Sequence, residues 1–396
     1  MPRLLFVHDD AMATERLLRH LAQREPSWDI QIAASEDDAW DLFEGWVPDV
    51  VIAAARKSRL DGLRLLVRVR DARPETVRIV VGVDDDAEHG LRALRIAHRA
   101  VVEPLDPATL VEVVRRMILM SQLVAQPGMR ELLGRIDGLP AAPSVHTKLT
   151  HRLEDPTVSV FELSEMVAAD STLSAQVLRI ANSAFFSRHQ RVTKIEAAAA
   201  RLGTRLLGSL VLTAEAFGRF PVSPFMAERL EALQTHASMV ARLASNLEPS
   251  APWRDDAFTA GLLHDIGKLV LASHLPDVHQ SIVRDAERTN RPEHEVELQR
   301  LGVHHGAIGA CLLGMWGLPS VILEAALQHD QVLREIPATL DAVSAVTFAN
   351  HLAHLSEQPE GRYARGRSLP PAVLNDPRWT LWREMAFEAG PREEAA

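Results

Sequence analysis

Short apolar runs alternate with longer amphipathic stretches through the first 124 of the chain's 396 residues. Leu4–Val7 (LLFV) has the length of a strand and precedes a helical pattern over Met12–Arg24. Ile30–Ala34 precedes Asp37–Glu44, and Asp49–Ala54 precedes Leu60–Ala72. Arg78–Val83 precedes Glu88–Ala97, and Ala100–Val102 precedes Pro107–Val124. Short apolar strands set between amphipathic helices indicate parallel βαβ units with both sheet faces covered. Five such units predict an α/β domain over residues 1–124, a (βα)5 arrangement of the doubly wound, flavodoxin-like kind. In that topology the functional crevice lies beyond the carboxyl ends of the strands.

The alternation stops at Pro127-Gly128, a strong break signal, and residues 125–135 read as a linker centred on Ala125–Met129. Helical patterns separated by Pro, Gly and Asp signals follow, so residues 136–355 predict an all-α domain of helices packed face to face. Asp170-Ser171 caps the apolar stripe Leu173, Val177, Leu178 and Ala181, and Asp155-Pro156 opens another helix. Asn182 closes a turn by bonding to local backbone, or else faces a ligand. Residues 356–396, rich in Pro, Arg and Glu, read as a loosely docked tail carrying Trp379 and Trp382 and ending in a disordered PREEAA.

Composition narrows the class of function. Forty-seven per cent of residues are hydrophobic and 24% charged, the balance of an ordinary globular protein. A net charge of −10, with acids and bases interspersed, supplies no basic surface for displacing counterions from nucleic acid, so nucleic acid is not an expected partner. No apolar run reaches the ~18 residues of a membrane span, and MPRLLFVHDD lacks the pattern of a signal peptide. A single cysteine, Cys311, excludes an internal disulfide and suits a reducing compartment, so the expected location is the cytoplasm.

Candidate chemistry sits in the helical part. His236 lies in a helical stretch with Val240, Leu243 and Leu247 on its apolar face. His264 and Asp265 are adjacent in AGLLHDIGKLVLA, which reads as one apolar helix. A buried carboxylate beside a buried imidazole is costly unless paired or bound to metal. His304-His305 and His329-Asp330 follow, and imidazole with carboxylate suits a hard or borderline divalent cation.

Two resemblances organise these residues. Pro2–Ser121 resembles the response-regulator receiver family, whose members carry two acids after the first strand and an acceptor Asp ending the third. Ser or Thr ends their fourth strand, and Lys-Pro follows the fifth. Registered by its Pro48-Asp49 start and Asp61-Gly62 end, PDVVIAAARKSRLDG places Ala54 at the acceptor position. His8 and Asp9 follow the first strand, Val81 or Gly82 takes the hydroxyl position, and Glu103-Pro104 replaces Lys-Pro. Alanine has no oxygen to attack a phosphoryl donor, and a glutamate in place of lysine repels phosphate. The expectation is a pseudo-receiver that docks proteins through its fourth helix, fifth strand and fifth helix, or a folding unit whose switch has decayed. Arg56, Lys57 and Arg59 pair with Asp9 or Glu103 across the old pocket, or belong to a solvated loop.

His236, His264-Asp265 and a late position on TFANHLAH, taken as Asn350, follow the order of the HD-superfamily phosphohydrolases. His305 and His329 fall where the cyclic-dinucleotide phosphodiesterase branch has ligands for a second metal. Asp330 stands where that branch places another His, Lys268 matches its lysine, and its Gly-Tyr-Pro signature is absent. LPAAPSV, the LEDPTVSVFELSEMVAADSTLSAQVLRIANSAFFS segment, IEAAAARLG and GMWGLPSVILEAALQHD are similar, from Ile136 to Gln331, to the HDOD family. That resemblance implies a largely non-catalytic output or scaffold module of bacterial signalling, with no catalytic residue, acting on other signalling proteins. A homodimer and a nucleotide ligand are further expectations. No cofactor is demanded; the one admitted is a divalent metal ion at His236, His264, Asp265, Asn350, His305 and His329. Against it stands a buried polar network that only holds the helices in register. The alternatives are a metal-dependent phosphohydrolase acting on a nucleotide or cyclic dinucleotide, and a nucleotide sensor without cleavage.

Overall fold

A computed structural model of the chain describes residues 1–8, 23–54, 61–83, 96–102, 106–135, 159–169, 194–218, 224–357 and 369–389, with positions 19, 21, 145, 148–149, 152, 173–174, 177–178 and 220. The chain divides into two units, Met1–Ala125 and Gln126–Ala396.

In the first unit, β1 (Arg3–Val7), β2 (Asp29–Ala33), β3 (Val50–Ala54), β4 (Val77–Val83) and β5 (Arg99–Val102) form one parallel sheet in the order β2-β1-β3-β4-β5. That is the flavodoxin-like order, with the switch point between β1 and β3. All five residues of β3 are buried, as a central strand covered on both faces requires. Helix α1 (Glu36–Trp46) starts at Ser35, whose hydroxyl accepts from the Asp38 N–H at 3.1 Å, and three acids in its first turn suit the positive end of the helix dipole. Helix α2 (Gly62–Ala72) is capped by Asp61, and α3 (Pro107–Ala125) closes the unit. Ala54 is the last residue of β3 and is buried, at the carboxyl edge where this topology places its chemistry. His8 follows β1, its N–H bonded to the Ala33 carbonyl. Asp9, Arg56, Lys57, Arg59 and Glu103 lie outside the described residues, as do most of the two helices expected over Met12–Arg24 and Glu88–Ala97.

The described elements of the second unit are all helices. The stretch read as a linker is mostly helix α4 (Pro127–Arg135). The break falls at Gln126, between the end of α3 and Pro127, which is the first residue of α4, where a missing N–H costs nothing and a fixed φ favours the turn. The caps expected at Asp155-Pro156 and Asp170-Ser171, and Asn182, lie outside the described residues. A capping box does occur at α5 (Val160–Ala168), where Ser159 and Glu162 satisfy each other's backbone N–H groups. The core is built by α6 (Pro224–Leu247), α7 (Arg254–Leu263), α8 (Ile266–His274), α9 (Glu293–Leu301), α10 (His305–Met315), α11 (Ser320–Gln328) and α12 (Ala342–Glu357). Helix α6 packs on α7 and α12, and α10 packs on α8 and α11.

The loosely docked tail is corrected in part. Residues Pro377–Ala389 form α13, packed on α6 and α12. Trp379 and Trp382 are each buried, with ring centroids 6.4 and 5.7 Å from that of Phe348 on α12. Arg378 donates to the Pro337 and Ile336 carbonyls, tying the start of α13 to a loop of the core. The two tryptophans supply the apolar anchor that the Pro-rich composition obscures.

Candidate metal centre

The expected single helix around His264-Asp265 is two helices. Helix α7 ends at Leu263 and α8 begins at Ile266, with His264 and Asp265 in the turn between them. Adjacent residues of one helix point in different directions; the break brings both side chains to one pocket. Both are buried.

Asp265 is the hub. Its Oδ2 accepts from the Lys268 ammonium at 2.8 Å. Its Oδ1 lies 3.1 Å from His305 Nε2 and 3.4 Å from His329 Nε2 but has no hydrogen bond to either. Asp330 Oδ2 lies 3.3 Å from the same two nitrogens and 3.1 Å from His294 Nδ1. Two carboxylate oxygens thus flank two imidazole nitrogens that are themselves 3.1 Å apart.

The far side of each ring fixes its tautomer. His329 Nδ1 donates to the Ala326 carbonyl at 2.7 Å, and His264 Nδ1 donates to that of Gly261 at 2.8 Å. His305 Nδ1 and the His305 backbone N–H both donate to Glu297 Oε2, each at 2.7 Å. With the proton on Nδ1, each Nε2 presents a lone pair to the centre, the arrangement in which a second carboxylate or carbonyl orients a metal-binding imidazole. His264 Nε2 is buried and has no hydrogen-bond partner. Burial pushes His264 down to about 4 against the pull of Asp265, so that ring is neutral.

The field of the pocket asks for positive charge. Burial lowers His305 and His329, but Glu297 beside the first and Asp330 beside the second prevail, and both rings are held above the ordinary histidine value. Burial would raise Asp265 and Asp330, yet Lys268 and the imidazole of His329, respectively, hold them well below the usual carboxylate range. Two Nε2 atoms 3.1 Å apart have room for one shared proton, not two. A shared proton leaves Asp265 Oδ1 without a hydrogen bond; a divalent cation accepts all four donor atoms at once. The orphaned Asp265 Oδ1 therefore fits a metal.

His236 and Asn350 are bonded to each other beside this group. Asn350 Nδ2 donates to the His329 carbonyl at 3.3 Å, which turns its Oδ1 to His236 Nε2 at 2.9 Å. Nε2 of His236 therefore carries a proton and is committed to the amide. Its Nδ1 faces both oxygens of Glu357 at 3.1 Å. Burial lowers His236, but the Glu357 carboxylate outweighs it and raises the ring above its ordinary value.

All six expected ligand positions are thus near neighbours: Asp265, His305 and His329 meet together with Asp330, His264 stands beside Asp265, and His236 and Asn350 form a separate pair. Among the described residues, Asp265–His305–His329, His236–His264–Asp265 and His236–His354–Glu357 are each close enough to hold one ion. Sequence reasoning missed Glu297, His294, His354 and Glu357, and took Asp330 only as a departure from a pattern. Glu297 had one signal, an acid eight residues before His305 on what became the buried face of α9.

A family model, described as HDOD domain, matches residues 139–332. An uncharacterised protein of Treponema pallidum is 27% identical over 219 residues, covering 54% of this chain and 42% of that protein. The hydrogenase transcriptional regulatory protein HoxA of Bradyrhizobium diazoefficiens is 23% identical over 187 residues, covering 44% and 38%. The chain spans less than half the length of these curated relatives. Among solved structures, an HDOD domain protein with unknown function from Geobacter sulfurreducens aligns over 72% of this chain and 92% of its own, at a TM-score of 0.50 and 22% identity. The signal receiver domain of an HD domain-containing protein from Pseudomonas fluorescens aligns over 31% of this chain and 97% of its own, at a TM-score of 0.29 and 26% identity. A five-stranded parallel unit of flavodoxin-like strand order precedes in sequence an HDOD domain, and it is the HDOD family whose model residues 139–332 match.

Proposed function

We propose that this chain is a cytoplasmic regulator of bacterial signal transduction that works by associating with other signalling proteins rather than by turning over a substrate. The observation that carries the reading is the Asn350 amide, which accepts the His236 Nε2 proton and so turns both residues away from a hydrolytic centre at His264-Asp265. Support at the other end of the chain is Ala54, which offers no nucleophile at the carboxyl edge of β3. Among the described residues no helix is long and apolar enough to cross a membrane.

The inner cluster has a structural part in this reading. His305, His329, Asp265 and Asp330 would hold one divalent cation, with Glu297, Ala326 and the Lys268 ammonium orienting them. Such an ion supplies the positive charge that lets donors from the His264-Asp265 turn, α10 and the end of α11 converge. A second reading, a metal-dependent phosphohydrolase, is favoured by one observation: His264 Nε2, 3.5 Å from Asp265 Oδ2, is buried without a hydrogen bond, as is Asp265 Oδ1.

Two outcomes are expected of the full chain. Incubated with Mg²⁺ and acetyl phosphate, it gains no covalent phosphoryl group by intact mass; stoichiometric phosphorylation would mean that Ala54 does not mark the acceptor register. Incubated with Mn²⁺ and a panel of nucleotides and cyclic dinucleotides, it forms no product above a protein-free blank. Turnover that His264→Ala abolishes would establish the phosphohydrolase instead.

A further inference from the structure

A second donor group lies outside the inner cluster. His236 projects from α6, while His354 and Glu357 stand three residues apart, one turn, at the end of α12. The His236 and His354 rings have centroids 4.4 Å apart, tilted by 32°, and both Glu357 oxygens lie 3.1 Å from His236 Nδ1. One ligand atom from each of the three falls within 4.8 Å of the others.

Asn350 decides which nitrogen of His236 is available. Because its Oδ1 takes the Nε2–H, the lone pair of a neutral His236 ring is on Nδ1, turned away from Asp265 and towards Glu357 and His354. An imidazole that donates one N–H to a fixed acceptor is a better base at its other nitrogen, which is how outer groups tune metal-binding histidines. We propose that His236 Nδ1, His354 and Glu357 form a second site for a divalent transition metal of the zinc type, separate from the inner cluster. Two imidazoles and one carboxylate are the donor set of three-ligand zinc sites, and nitrogen donors select against magnesium and calcium.

The rival occupant of Nδ1 is a proton. A proton there makes an ion pair of His236 and Glu357. A metal uses all three groups. The Glu357 side chain is 25% exposed, so the site opens to solvent and keeps room for a water or an exogenous ligand. This site goes beyond the regulator reading and does not depend on it.

Chelator-treated full-length protein titrated with Co²⁺, followed by visible absorption and by metal analysis after desalting, separates the two sites. The wild type takes two equivalents. His354→Ala and Glu357→Gln each take one tightly, with the outer affinity weakened on the order of 100-fold, and keep the wild-type far-ultraviolet circular dichroism. His329→Ala loses the other equivalent and keeps the outer one. If His354→Ala and Glu357→Gln both bind Co²⁺ with the stoichiometry and spectrum of the wild type, or if the wild type's one equivalent depends on His329 alone, the outer site does not exist. Loss of metal in His354→Ala but not in His329→Ala would leave the outer site standing and remove the inner one.

Discussion

Replacing Asp265 with alanine is expected to cost about 3–5 kcal/mol in urea denaturation and to abolish metal binding at the inner cluster. The size follows from what remains. The Lys268 ammonium, with its side chain 17% exposed, loses its 2.8 Å partner, and removing one member of a buried pair costs about this much because the other charge is left behind. Burial lowers Lys268, but Asp265 chiefly, then Glu293 and Asp330, hold it well above the ordinary lysine range. Without Asp265 its next carboxylate is Glu293 at 3.9 Å.

Asp265→Asn separates packing from charge. The amide oxygen still accepts from Lys268, so part of the stability returns, while the anionic ligand does not, so the metal stays lost. The pH dependence has a definite sign. Asp265 titrates well below its unfolded value of about 4, so its contribution is complete above that pH and disappears as pH falls through the folded value. The gap between wild type and Asp265→Ala is therefore steady from neutrality down to about pH 4 and closes below it. An Asp265→Ala protein as stable as wild type at neutral pH would show that Lys268 does not need this partner.

The parts of this molecule legible in its sequence are those set by short-range pattern. Strand runs such as Val50–Ala54 read clearly because a central parallel strand is apolar throughout. The order His236, His264-Asp265, His305, His329 was readable because the residue types are rare on apolar faces. What pattern cannot carry is direction. Nothing in AGLLHDIGKLVLA distinguishes one helix from two with the doublet in the turn, since every residue from Leu263 to Ile266 is compatible with either. The separation of His236 and Asn350 from the other expected ligands depends on which way one amide faces, and that is set by the His329 carbonyl 21 residues away. Glu297 and Glu357 carry no mark in sequence because an acid on a helix is ordinarily solvated. Trp379 and Trp382 sat in a segment whose Pro and Arg content masked a buried helix. Pro127 shows a related ambiguity, since a break signal does not say how soon the next helix starts: α3 ends at Ala125 and α4 begins at Pro127 itself.

Gly267→Ala is expected to cost about 3 kcal/mol, the upper part of the range for overpacking, and to disturb the metal centre as well. A Cβ at Gly267 would lie 1.9 Å from the His305 carbonyl oxygen and 2.8 Å from the Gly309 nitrogen, where ordinary contact begins at 3.4 Å. Both obstacles are backbone, so no side chain can rotate away, and α8 and α10 must separate. The position is two residues from Asp265 on one helix and faces His305 on the other, so separation carries His305 Nε2 away from Asp265 Oδ1, now 3.1 Å distant. Gly309→Ala is the matched control: its Cβ would meet the Gly267 nitrogen and Ile266 Cγ2 at 3.1 Å, a tightness that a few tenths of an ångström relieve. It should cost about 1 kcal/mol and leave the inner equivalent of metal in place. Urea denaturation and metal analysis of the two variants test whether the close approach of these helices sets the centre's geometry. Equal stabilities and equal metal contents would show that it does not, because only the Gly267 substitution forces the two backbones apart.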